Sequence, residues 1–155
     1  MSRSLPLRVL IIEDSARIRQ SLIEQVKVAG RVDVVQWADT ESDALDLLDR
    51  HAVDALIVDL RLREGSGFGV LGGIQTPRFG GVKKIVLTNY SSSEMRDRCL
   101  ALGADYFFDK SREFSCVNAV LAEMATELEA GATGHDGAGT WARRTTDNPP
   151  VVPAE

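Results

Sequence analysis

The sequence predicts an α/β protein in which five parallel strands, in the order 2-1-3-4-5, are covered on both sides by five helices. Three observations predict it. Short apolar, branched runs alternate five times with segments whose apolar residues step by three and four, the pattern of a parallel sheet sandwiched between helices. The third run, Ala55 to Val58, contains no polar residue, as expected of a strand buried on both faces. The chain has 155 residues, enough for one domain with a sizeable core, and the right-handed crossover rule leaves few topologies at that size.

Each element has its own justification. Leu7 to Ile12 is apolar except for Arg8 and ends in Glu13-Asp14. Ser15 to Ala29 carries Ile18, Leu22, Ile23 and Val26 at helical spacing, and Gly30 is placed to stop it. Val32 to Ala38 is rich in β-formers, with Trp37 near its end. Thr40 with Asp43 makes a capping box for a helix whose buried face is Ala44, Leu45, Leu47 and Leu48. After Ala55 to Val58 comes a short helix, Phe68 to Ile74, weakened by Gly69, Gly72 and Gly73, and then a loop from Pro77 to Gly81. Val82 to Leu87 is the fourth strand and ends at Thr88. Ser91 with Glu94 predicts the cap of a helix through Met95, Cys99 and Leu102 that Gly103 ends. Tyr106-Phe107-Phe108 is an aromatic strand closed by Lys110. Ser111 is expected to cap the last helix, along Phe114, Val117, Leu121, Met124 and Leu128.

This divides the chain into a lead at 1–6, a folded domain at 7–129 and a tail at 130–155. The tail, rich in Gly and Pro with little apolar patterning, is expected to be disordered. A net charge of −5 argues against a nucleic-acid or anionic-membrane surface. No apolar run approaches a membrane span, and the amino terminus lacks a signal peptide's apolar core. Cys99 and Cys116, the two cysteines, fall among apolar neighbours in helical patterns and read as reduced, which favours a cytoplasmic location.

The strand ends carry the chemistry. In open parallel sheets ligands bind outside the carboxyl ends of the strands. There the sequence places Glu13 and Asp14 after strand one, Asp59 after strand three, Thr88 at the end of strand four and Lys110 after strand five. In the flavodoxin-like order these four strands are contiguous, so three carboxylates, a hydroxyl and an ammonium share one patch. Close carboxylates repel each other unless a cation lies among them, and a hard divalent ion such as Mg²⁺ suits oxygen ligands. Singly, each residue has a duller reading: Glu13 and Asp14 as helix caps, Thr88 as an ordinary strand end, Lys110 as a solvated lysine. Jointly they are the parts that phosphoryl transfer needs, namely a nucleophile, a metal and donors to the phosphoryl oxygens.

Val9-Leu10-Ile11-Ile12-Glu13-Asp14, Val58-Asp59-Leu60-Arg61-Leu62 with Gly67, Val86-Leu87-Thr88, and Gly103-Ala104-Asp105 with Lys110 together resemble the receiver domain of two-component response regulators. The resemblance runs from about Leu7 to Leu128. It implies that Asp59 is phosphorylated from a histidine kinase or phosphotransfer protein. It also implies that Glu13, Asp14, Asp59 and the Arg61 backbone carbonyl arrange Mg²⁺, directly or through water, and that Thr88 and Lys110 hold the phosphoryl oxygens. On phosphorylation the Thr88 hydroxyl would move toward the phosphate, Phe107 would swing inward, and the face formed by helix four, strand five and helix five would change its partner preference. Such a domain is a regulatory switch rather than an enzyme, although it assists its own phosphoryl transfer and dephosphorylation. The residues after Leu128 are too few for a DNA-binding domain of ordinary size, so action by docking on a protein or by relaying phosphate is expected.

Four positions depart from the family pattern. Arg63 and Ser111 stand where Pro is usual. A cis bond before a non-proline residue costs about 2.5–4 kcal/mol, so the Lys110–Ser111 bond is expected to be trans or strained. Asn89 replaces a small residue and is expected to narrow access to the phosphoryl group. Phe107 replaces the commoner Tyr and has no hydroxyl; Tyr106 is one residue out of register. Other readings are a phosphorylation-independent interaction module on the same fold, a phosphatase using Asp59, and a flavin site. The phosphatase would need an acid where Arg61 stands, and Asp14-Ser15-Ala16-Arg17 lacks the phosphate cradle of a flavin site.

Overall fold

A computed structural model describes residues 6–27 and 31–132. The elements are β1 (Leu7–Ile12), α1 (Ala16–Lys27), β2 (Val32–Ala38), α2 (Glu41–Arg50), β3 (Ala55–Val58), α3 (Gly67–Gly73), a single 3-10 turn (Pro77–Phe79), β4 (Lys83–Thr88), α4 (Ser93–Ala101), β5 (Tyr106–Asp109) and α5 (Cys116–Ala132). All five strands are parallel and lie in the order β2-β1-β3-β4-β5. The predicted α/β, flavodoxin-like fold is therefore the observed one. Residues 1–5 of the predicted lead and the stop at Gly30 lie outside the described residues, as does the tail from residue 133 on, while α5 carries three residues past the expected domain end at 129.

Strand periodicity sorts the core into two layers. On one face Leu10, Ile12, Leu56, Val58, Val86 and Phe107 pack with Ala44 and Leu48 of α2, Val70 and Leu71 of α3, and Cys99 of α4. On the other face Val9, Ile11, Ile57, Ile85, Leu87, Tyr106 and Phe108 pack with Leu22 and Val26 of α1 and with Val117 and Leu121 of α5. Burying each large aliphatic side chain contributes about 1.5–3 kcal/mol before conformational entropy is counted. Leu45 and Leu47, expected on the buried face of α2, are only partly buried. Both cysteines are free, Cys99 in the core and Cys116 half-buried at the start of α5.

Helix starts were the weakest expectations. Thr40 caps α2 as predicted, its hydroxyl accepting from the Asp43 amide at 3.1 Å. The cap of α4 is Ser92, not Ser91, with Ser92 Oγ accepting from the Met95 amide. Ser111 does not cap α5 either. Its amide and hydroxyl both go to Asp109 Oδ1, in an Asx-type turn that competes with helix, and α5 starts only at Cys116.

The loop after β3 is tied to the loop after β2. Thr40 and Glu64 form an isolated parallel bridge, and the Ser66 amide donates to Glu41 Oε1 at 3.0 Å. Arg63, at the usual proline position, forms a two-point ion pair with Asp39 at 3.1 and 3.2 Å. That hydrogen-bonded guanidinium holds the Asp39 carboxyl below the usual carboxylate range. Two glycines are required here. Gly65 has φ of +77°, which L side chains avoid. A Cβ on Gly67 would lie 2.3 Å from the Asp59 carbonyl oxygen. Gly67→Ala is therefore expected to displace the Asp59–Leu60 peptide and destabilise the fold by about 1–3 kcal/mol, read as a lower urea midpoint.

Candidate functional site

β1 and β3 are neighbours, and their ends are bonded: the Asp59 amide donates to the Ile12 carbonyl at 3.0 Å, and the Glu13 amide to Ala38 of β2 at 2.9 Å. This brings the predicted carboxylates together. One oxygen from each of Glu13, Asp14 and Asp59 lies within 4.8 Å of the others. Glu13 and Asp59 are buried, whereas Asp14 is exposed at the mouth. β5 delivers Lys110 to the same point. Its Nζ lies 2.8 Å from Asp59 Oδ2 and 2.9 Å from Glu13 Oε1, and all three side chains are at least nine-tenths buried.

The remaining acceptor positions are largely satisfied. Asp59 Oδ1 accepts from the Leu60 amide at 2.7 Å, and Glu13 Oε2 from the Ser15 amide at 3.0 Å. Burial raises the Glu13 pKa, partly countered by the hydrogen bond from Lys110. Burial opposes the charge on Lys110, but its hydrogen bonds to Asp59 and Glu13 outweigh that and hold it above the usual lysine range. The ammonium thus acts as the resident counter-cation of the acidic cluster.

Do these residues fit Mg²⁺? Ligands of an octahedral Mg²⁺ at about 2.0–2.1 Å lie at most roughly 4.2 Å apart, so a small closure of the three oxygens suffices. Asp14, exposed at the mouth, is best placed for direct contact. Glu13 and Asp59 each have both oxygens engaged, so each would join the ion through water or by exchanging one of those bonds. All donors are hard oxygens, as the ion prefers.

Thr88 is fully buried at the end of β4. Its Oγ1 accepts from the Tyr90 amide at 3.1 Å, and its carbonyl accepts from the Lys110 amide at 2.8 Å. Asn89 is exposed. Its neighbour links the loops after β3 and β4: the Arg61 guanidinium meets the Tyr90 hydroxyl and lies 5.2 Å from the ring centroid. Phe107 is already inside, 4% exposed and packed in the α2–α3–α4 layer. Without a hydroxyl the ring has no polar group to keep hydrated. Every peptide bond among the described residues is trans, Lys110–Ser111 included.

Sequence reasoning missed Asp109, which binds Ser91 and Ser111, and it missed the side-chain role of Arg61. The Asp-x-Ser spacing at 109–111 was a readable Asx-turn signal. Nothing local marks Arg61 for Tyr90.

The family model of the response regulator receiver domain matches residues 9–122. The chain belongs to that family. Its receiver domain is 31% identical over 101 residues to the transcriptional regulatory protein PdtaR of Mycobacterium tuberculosis, covering 65% of this chain and 48% of that protein. It is 29% identical over 129 residues to a protein-glutamate methylesterase/protein-glutamine glutaminase of Symbiobacterium thermophilum, covering 82% of this chain and 36% of that one. The chain thus spans about half or less of the curated relatives it matches. Among solved structures, a CheY-like response regulator receiver domain protein from Methanospirillum hungatei superposes with a TM-score of 0.70 at 26% identity, covering 81% of this receiver and 98% of that chain. Among the described residues of the receiver, no helix is long and apolar enough to cross a membrane.

Proposed function

We propose that this receiver domain is a phosphorylation-activated switch in a two-component phosphorelay, taking a phosphoryl group onto Asp59 from a histidine kinase or a histidine phosphotransfer protein. The observation that carries the reading is Lys110 Nζ bonded to both Asp59 and Glu13 beside the exposed carboxylate of Asp14. Receiver domains use such an acidic pocket for Mg²⁺, and here Asp14, Asp59, the Arg61 carbonyl and, through water, Glu13 would hold it. When bound, the ion neutralises charge on the transferring phosphoryl oxygens.

The chain's own residues do the rest. An Asp59 carboxylate oxygen forms the new O–P bond as the donor's N–P bond breaks, and the electron pair stays on the donor imidazole. Lys110 leaves Asp59 Oδ2 for a phosphoryl oxygen, and the Thr88 hydroxyl moves to donate to another. Burial of Asp59 and Thr88 limits water around the acyl phosphate. The altered loops adjoin α4, β5 and α5, the face through which a downstream protein would be engaged or phosphate passed on.

The test uses acetyl phosphate or beryllofluoride. Either is expected to bind or label the protein only with Mg²⁺ present. A folded protein that responds to neither would favour a phosphorylation-independent interaction module.

A further inference from the structure

Phosphoryl transfer asks for no carboxylate next to Lys110, yet Asp109 stands there with its side chain accepting three hydrogen bonds. Its Oδ1 accepts from the Ser111 amide at 2.8 Å and from Ser111 Oγ at 2.6 Å, and its Oδ2 accepts from Ser91 Oγ. The bonds to Ser111 shape the turn that carries Lys110. The bond from Ser91 does something different: it fastens the β4–α4 loop, three residues after Thr88, to the β5–α5 turn. These bonds to hydroxyls hold the carboxyl well down, at about 2, so it is ionised and a strong acceptor at neutral pH.

The fastening opposes a particular motion. Thr88 Oγ1 accepts from the Tyr90 amide, which couples the hydroxyl to the residues that follow, so movement of Thr88 toward a phosphoryl oxygen on Asp59, as in the proposed switch, carries residues 88–91 with it. Within that stretch the Tyr90 side chain meets Arg61 of the loop after β3, while that of Ser91 is anchored on the β5–α5 turn beside Lys110. We propose that Asp109 is a positioning residue that keeps the β4–α4 loop in its resting arrangement through Ser91, and that the phosphorylated arrangement forms as the Ser91–Asp109 hydrogen bond is given up. The inference rests on Asp59 being the phosphoryl acceptor. It differs from a purely structural role because the bond stabilises one of two states, so its loss shifts the equilibrium between them.

The experiment is a beryllofluoride titration of the full chain in saturating Mg²⁺. Ser91→Ala is expected to bind the mimic roughly threefold to tenfold more tightly than wild type, the scale of one partly solvated hydrogen bond to a charged group. Ser91→Thr restores a hydroxyl and is expected to restore wild-type affinity. In an Asp109→Asn background, Ser91→Ala is expected to have much less effect. Mg²⁺ affinity without the mimic stays the same throughout the series. Unchanged or weaker mimic binding in folded Ser91→Ala overturns the proposal, as does an undiminished effect in the Asp109→Asn background. A wild-type protein that fails to bind the mimic overturns the phospho-acceptor reading and this inference with it.

Discussion

Asp59→Asn will abolish Mg²⁺-dependent labelling by a phosphoryl donor, while leaving a folded protein. The amide is nearly the same size and can still accept from the Leu60 amide, so the β3 end need not rearrange. What it loses is the nucleophilic oxygen and the charge paired with Lys110. The bond formed on wild-type Asp59 is an acyl phosphate, so hydroxylamine is expected to strip the label from wild type, leaving a hydroxamate at that position. Full labelling of Asp59→Asn would mean that the phosphoryl group goes elsewhere. The pair of observations separates acceptor chemistry from mere phosphate binding, which Asn at this position would not abolish.

Lys110→Met is expected to produce the largest change in stability, and one that depends on metal. Removing the ammonium leaves Glu13 and Asp59 as buried carboxylates facing each other with no cation. Loss of one partner from such a buried cluster costs about 3 kcal/mol. In urea unfolding with EDTA the variant should fall by about that much, and millimolar Mg²⁺ should close most of the gap by taking the place of the lost charge. Folding raises the Lys110 pKa, so in wild type its stabilising contribution is complete at neutral pH and is lost only above the usual lysine range. Folding also raises the Glu13 pKa, through burial, so the folded form holds that proton more tightly than the unfolded chain. The metal-free deficit of Lys110→Met should therefore shrink as pH falls from neutral toward the raised Glu13 pKa. A deficit insensitive to both Mg²⁺ and pH would mean that Lys110 acts by packing alone.

The residues that proved legible are those whose position follows from the strand pattern. Glu13, Asp14, Asp59, Thr88 and Lys110 each sit at or just beyond a strand's carboxyl end, so the strand order alone brings them together. The layer assignment of Phe107 against Tyr106 and Phe108 follows from the same alternation. Helix starts were less legible, because adjacent serines at 91 and 92 offer the same capping chemistry and only the geometry of α4 selects one. Ser111 illustrates a contest: it can cap a helix or close a turn on Asp109, and the nearby carboxylate prevails. The pairings Arg61 with Tyr90, Arg63 with Asp39 and Ser91 with Asp109 join separate loops, and no local spacing encodes them.

A ring that already lies in the interior has no journey from solvent to make. With Phe107 enclosed, activation would show itself as a re-sorting of close-packed neighbours, a tilt or slide of α4 against β5, instead of an aromatic disappearing from the surface. A fluorine label on that phenylalanine should then report two similarly shielded environments in the resting and beryllofluoride-bound forms. The distinction reaches any docking protein, which would recognise the contour of the helix rather than the presence or absence of an exposed side chain.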